Sequence, residues 1–217
     1  MPKPQQTATS AKSKTRKMPI GLILGGVFTV LLIVTVFLTM GEDAASTSDL
    51  ADEYGTPSVE GSLPLLADSL TDPAIGTPAP RVVGADFAGT PVSITDDGRP
   101  KVVLMVAHWC EFCQAEVPWV GEWLNDGSLP DGVDFYGVAT SIDRTRGNWP
   151  PSAWLEREGF TAPVLVDDRI NTVANSFGLP AYPYWVIVNA DGTIAARISG
   201  GISAADLDRI VASLAPA

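Results

Sequence analysis

Residues 101–113, KVVLMVAHWCEFC, decide how this chain is read. From Lys101 to Ala107 the run is almost unbroken in apolar residues, three of them Val. That length and composition predict a central strand buried on both faces. Beyond it, Val117, Val120 and Leu124 recur at i, i+3 and i+7. This spacing predicts a helix from about Cys110 to Asn125 with one buried face. Cys110 and Cys113 therefore fall where a buried strand hands over to a helix, in the helix's first turn.

That position has chemical consequences. The first turn of a helix presents unpaired N–H groups and the positive end of the helix dipole. A thiolate is stabilised there, which makes it a nucleophile at neutral pH. Cys110, at the helix end, is the expected attacking thiol. Cys113, one turn in, is the expected resolving thiol, since two intervening residues allow the pair to close a small reducible ring. A structural zinc site needs four protein ligands, and the chain holds two Cys and one His, His108. A disulfide so short in span would staple almost nothing, so a redox pair is the expected use. Glu116 stands three residues beyond Cys113, on nearly the same helix face. A carboxylate there can take the Cys113 proton; an exposed helix glutamate is the plain alternative. His108 reads as a partly exposed rim residue, with a thiolate-stabilising or copper-binding role as the alternatives. The loop from Asp143 to Pro151 carries Arg144, Arg146, Asn148 and Trp149, and reads either as partner-facing or as plain surface. Trp119, Trp123 and Trp154 read as packing residues.

Working outward, the pattern alternates strand and helix. Pro91–Ile94 is a short strand before the Asp96-Asp97-Gly98 turn. Val133–Ala139 and Val164–Val166 are further strands, with short helices near 152–158 and 171–177. Tyr184–Val188 and Thr193–Ile198 pair as a hairpin over Asp191-Gly192, a strong turn signal. Ser203 caps a last helix with Asp206 three residues on, and Leu207, Ile210, Val211 and Leu214 form its apolar stripe. The expectation is an α/β fold: a central sheet covered by helices. Pro183 opens a strand without an N–H to donate, and reads either as a plain trans edge proline or as a constrained cis one. A cis bond there would leave the backbone of Tyr182 free to pair with a bound peptide.

Toward the N-terminus the composition changes. Residues 1–18 are basic and polar. Ile20 to Met40 is apolar and uncharged, long enough at about 1.5 Å per residue to cross a hydrocarbon layer of about 30 Å. It is longer than a cleaved signal's apolar region, and Gly41 to Ala45 is a poor cleavage site. Residues 19–40 are thus expected to be a transmembrane anchor. Five cations precede the run and no acid appears before Glu42, so the N-terminus is expected in the cytoplasm and the rest of a bacterial cell-membrane protein outside. Residues 41–74, rich in Ser, Thr, Asp, Glu, Ala and Pro, read as an acidic flexible linker, and 75–217 as the globular domain. The whole chain carries −11. The five leading cations leave −16 for the remainder, which argues against nucleic-acid binding.

On these motifs the chain resembles the thioredoxin-like superfamily, in particular the membrane-anchored thiol–disulfide oxidoreductases of the TlpA and ResA type. The likeness runs from about Ile75 to Leu214. Gly76-Thr77-Pro78-Ala79-Pro80 matches a Gly-x-x-Ala-Pro start. Trp109-Cys110-Glu111-Phe112-Cys113 matches the redox motif, Glu116 and Pro118 the residues after it, and Ala181-Tyr182-Pro183 the proline segment before the last two strands. The resemblance implies a thioredoxin fold and a cis proline at Pro183 beside the cysteines. It implies proton handling by Glu116, client contacts at Trp109, Tyr182 and Pro183, and no organic cofactor or metal. Implied partners are exported protein thiols and disulfides or apocytochrome c, and a membrane redox protein. Ordinary thioredoxins carry a buried Asp six residues before the first Cys, where this chain has Leu104. The family commonly has Pro where Phe112 stands, so the direction of electron flow stays open. Rivals are a disulfide-forming oxidase, a peroxidase, and a copper- or client-binding module without catalysis.

Overall fold

The computed structural model describes residues 53–215. These residues all lie in one compact unit, Asp52–Ala217. The apolar run from Ile20 to Met40, and the anchor and topology read from it, lie outside the described residues. Among the described residues no helix is long and apolar enough to cross a membrane.

The central sheet is built on β4 (Lys101–Val106), buried along its whole length. Its side chains alternate between two cores. Val103 and Met105 join one cluster, while Val102, Leu104 and Val106 join the other. A strand buried on both faces has no polar side to alternate with, hence the unbroken apolar run. β5 (Asp134–Ala139) runs parallel to β4, and β7 (Tyr184–Val188) antiparallel to it, with Leu104 opposite Trp185. β6 (Val164–Val166) and β8 (Ile194–Ser199) form the edges, so the order is β6-β5-β4-β7-β8. This is a mixed sheet of the thioredoxin kind.

One face is covered by helices. α1 (Glu111–Asn125) lays Val117, Val120 and Trp123 on the sheet. α2 (Pro151–Arg157) adds Trp154 and Leu155, and α4 (Ala204–Leu214) adds Leu207 and Val211. The capping box expected at Ser203 and Asp206 is present. Trp123 and Trp154 pack as expected, and Trp119 is half-buried against the same cluster.

The other face is covered by α3 (Thr172–Ser176) and a three-stranded antiparallel sheet of β1 (Ser58–Glu60), β2 (Arg81–Ala85) and β3 (Pro91–Ile94). Here the domain boundary expected at Ile75 is corrected. Residues 53–74, read from composition as linker, belong to the fold. β1 pairs with β2, and Leu63, Leu66 and Ala74 enter the core. Asp72 meets Arg197 in an ion pair with no exposed side-chain surface on either partner. Arg197 Nε donates to Asp72 Oδ2 at 2.7 Å, and its Nη1 donates to the carbonyls of Pro64 (2.8 Å) and Phe177 (2.9 Å). This guanidinium ties the N-terminal segment to β8 and to the end of α3. Gly178, at φ +68°, makes the approach possible, because a Cβ there would lie 2.1 Å from the Pro64 carbonyl oxygen.

Candidate active site

Cys110 is the N-cap of α1 and is half-buried; Cys113 is fully buried one turn in, and both are free thiols. No side chain caps the helix, so its first-turn N–H groups are not taken up by a side chain. The Cys110 thiol donates to the Tyr182 carbonyl at 3.7 Å. Tyr182-Pro183 is a cis peptide, as the resemblance implied, and a second occurs at Trp149-Pro150. The structure thus brings Cys110 and the Tyr182-Pro183 segment together across the end of the sheet. The Tyr182 carbonyl, expected to be free for a peptide, is occupied by the thiol.

Burial pushes the Cys113 thiol far above its ordinary value of 9.0, with the neighbouring Cys110 and Glu116 adding in the same direction. Cys113 therefore holds its proton until a base takes it. Glu116 is also buried, at 5 % exposure. One oxygen, Oε1, accepts from Trp185 Nε1 at 3.1 Å and from the Ile202 N–H at 3.0 Å. No described residue donates to the other, Oε2. Gly201 stands beside it; a Cβ there would come within 2.5 Å of Oε2. The missing side chain leaves that oxygen room. Desolvation raises the Glu116 carboxyl above its ordinary 4.5, against the two hydrogen bonds. The exposed-glutamate alternative is thereby excluded. Leu104 is fully buried, so Glu116, and not a strand residue six before Cys110, supplies the buried carboxylate of this site.

Trp109 donates from Nε1 to the Ser141 carbonyl at 2.7 Å, and meets Tyr182 edge-on at 5.9 Å between ring centroids. Ser141 Oγ and Tyr182 Oη share a 2.6 Å hydrogen bond. Phe112 is 70 % exposed, an apolar side chain presented between the two cysteines.

His108 is corrected from rim residue to core residue, at 1 % exposure. Its Nδ1 lies 2.7 Å from the Gly147 carbonyl, which can only accept, so Nδ1 carries the proton. Nε2 then accepts the Asp143 N–H at 3.1 Å. Desolvation lowers the imidazole below its ordinary 6.5, against the Gly147 bond. Neutral, and committed at both nitrogens, it is neither a charge for Cys110 nor a vacant ligand. It pins the loop from Asp143 to Pro150 against the strand end. Its own carbonyl accepts from Gln114 Nε2 and Asn148 Nδ2, each at 3.2 Å. Sequence reasoning missed this role because the groups His108 binds are backbone atoms over thirty residues away. Among the described residues, no group of three or more His, Cys, Asp or Glu is placed to hold a metal ion.

Comparison with known proteins fits this geometry. The Redoxin family model matches residues 74–212. The thiol-disulfide oxidoreductase ResA of Geobacillus thermodenitrificans (strain NG80-2) is 27% identical over 144 residues, 66% of this chain and 79% of that protein. The thiol:disulfide interchange protein DsbE of Xylella fastidiosa (strain Temecula1) is 24% identical over 194 residues, 87% of this chain and 83% of its own. A crystal structure of a thiol:disulfide interchange protein of the thioredoxin family from Chlorobium tepidum superposes with a TM-score of 0.54 at 26% identity. That match covers 64% of this chain and 95% of the other. The family model spans more than half of the sequence and contains both cysteines, so the chain belongs to the Redoxin family, as a thioredoxin-like thiol–disulfide oxidoreductase of the TlpA/ResA type.

Proposed function

We propose that this protein reduces disulfides in exported proteins or apocytochrome c outside the cytoplasm, tethered by its own N-terminal apolar segment and recharged by a membrane redox partner. The observation that carries the chemistry is the arrangement at the start of α1. A half-exposed Cys110 sits at the helix end beside Pro183, with a buried Cys113 behind it and a buried carboxylate one turn further.

The Cys110 thiolate attacks one sulfur of the client disulfide. The other client sulfur leaves as a thiolate and takes a proton from solvent. Glu116 then accepts the Cys113 proton, and the Cys113 thiolate attacks the Cys110 sulfur. The second client sulfur leaves, and the protein holds a Cys110–Cys113 disulfide. Two electrons have passed to the client, and the membrane partner restores the dithiol. Trp109 and Tyr182, half-buried above the buried Pro183, form the surface on which the client's backbone and sulfur rest.

The test is insulin reduction by the full chain with dithiothreitol as donor. Cys110→Ser should abolish it, and Cys113→Ser should accumulate mixed disulfide. Activity surviving both changes would sink the reading. The direction of flow is read from the reduction potential in glutathione and dithiothreitol buffers. A value near or below about −270 mV supports the reductant, whereas one near about −120 mV assigns a disulfide donor instead. Membrane attachment is read separately, from whether the full chain stays in the membrane pellet after alkaline carbonate.

A further inference from the structure

We propose that Arg144 and Arg146, carried on the loop beside Cys110, recognise acidic side chains flanking the reacting cysteine of the protein partner. This rests on the thiol–disulfide reading above and names the chemistry of the partner.

The loop is part of the site. His108 holds it at Asp143 and Gly147, and Trp109 holds it at Ser141. The Arg146 guanidinium carbon lies 3.6 Å over the ring of Trp109, the residue immediately before Cys110. That of Arg144 lies 5.7 Å from the Trp149 ring centroid. The donors of a guanidinium lie in its plane, so an arginine resting on a ring keeps its N–H groups for a second partner. Resting there also restricts the side chain, which lowers the entropy lost when a carboxylate is bound.

Most cations of the described residues are engaged within the fold. Fourteen Lys and Arg, less the five before the apolar run, leave nine. Of these, Arg99, Lys101, Arg157, Arg197 and Arg209 are paired with carboxylates. Arg169 lies 4.0 Å over the Tyr54 ring, and Arg81 stands exposed on β2, away from the cysteines. Arg144 and Arg146 are exposed and make no ion pair among the described residues. The nearest carboxylate in sequence, Asp143, is engaged within its own turn, accepting from the Thr145 N–H at 2.9 Å and the Thr145 hydroxyl at 2.7 Å. Those two bonds hold its carboxyl below the usual range, and the charge of Arg146 is a lesser cause. On a strongly acidic body, two guanidiniums without a salt bridge place cationic donors at the mouth of the redox site. Glu111, exposed on the helix side, offsets one of them. At physiological salt the screening length is about 8 Å. The remote acidic surface is therefore muted at docking distance, and the rim decides.

The experiment uses the reduced full chain and three synthetic peptides of equal length. Each carries one disulfide flanked by Asp, by Ser or by Lys. Exchange rates are measured at about 0.15 M salt. The Asp peptide should react about fivefold faster than the Lys peptide, the size expected of two exposed ion pairs. The ratio should fall below about twofold in the Arg144→Gln, Arg146→Gln double variant and persist in Arg209→Gln, which removes a distant cation. Equal rates in the wild type, or a preference that survives the double variant, would overturn the proposal. So would a double variant that slows all three peptides alike with the ratio kept, since that is the mark of a structural loop. If the Ser peptide is not reduced either, the thiol–disulfide reading itself fails, and the rim's role with it.

Discussion

Glu116 and Cys113 share one helix face a turn apart, and burial disfavours the charged form of each. Two groups that both resist ionisation are suited to pass one proton between them, because neither state is swamped by solvation. Glu116→Gln keeps an oxygen for the Trp185 and Ile202 donors but removes the base. The resolving step should slow by about a hundredfold, read as persistence of a trapped client–Cys110 mixed disulfide, while denaturant stability changes little. An unchanged resolution rate would remove Glu116 from the mechanism. The spacing of this residue was legible in the sequence; its burial was not, because that depends on Trp185 and on the missing side chain at Gly201. His108 makes the same point more sharply. Its folded-state affinity for protons is lowered by desolvation, so the unfolded chain binds a proton that the folded chain refuses. Its contribution is complete above about pH 6.5, the unfolded value, and is lost as the pH falls from there through the lower folded-state value. Urea midpoints measured from about pH 8 to about pH 5 should therefore show wild type and His108→Gln converging toward acid. A constant gap between them would mean that the folded and unfolded chains bind protons at His108 alike.

At the scale of elements, the sequence announced most strongly what local pattern determines. The buried strand, the helix after it, the Asp191-Gly192 hairpin and the Ser203 cap all depend on neighbours within a few residues, and all were legible. β1 and the segment to Asp72 were not. A three-residue strand has no periodicity to detect, and Ser, Thr, Asp and Pro are the composition of linkers as well as of edges. What holds this segment is long-range: Leu63 and Leu66 under the sheet, and Asp72 against Arg197. The pair has a testable asymmetry. Asp72→Asn leaves a buried guanidinium without its counter-charge and should cost about 3–5 kcal/mol in denaturant unfolding. Replacing both partners, as Asp72→Leu with Arg197→Met, should cost less than the single change, because no charge is then stranded. If the double variant proves the less stable of the two, the pair contributes net stability and the segment is held by charge more than by packing.

For the whole molecule the same contacts fix where the folding unit starts. Two truncations separate the alternatives, one beginning at Glu53 and one at Ile75. The shorter chain retains every motif on which the family likeness rests, including both cysteines, Glu116 and Pro183. It loses β1, Leu63, Leu66 and the counter-charge of Arg197. It also loses Glu53, which accepts from the Ser152 N–H at 2.9 Å at the start of α2, and the Tyr54 hydroxyl bond to the Ile142 carbonyl at 2.8 Å. Losing the burial of two core leucines costs about 1.5–3 kcal/mol each, and stranding the guanidinium about 3–5 kcal/mol. Together these are of the same order as the entire stability of an ordinary domain, about 5–15 kcal/mol. The Glu53 chain should unfold cooperatively in urea and reduce insulin. The Ile75 chain should show no cooperative transition, despite carrying the complete redox motif. A well-folded Ile75 chain would restore the boundary that composition suggested and would mean that the N-terminal segment merely decorates the sheet. An unfolded one would mean that the chemistry at Cys110 depends on residues that carry none of it, since the loop bearing Arg144 and Arg146 is braced from behind by the first residues of the unit.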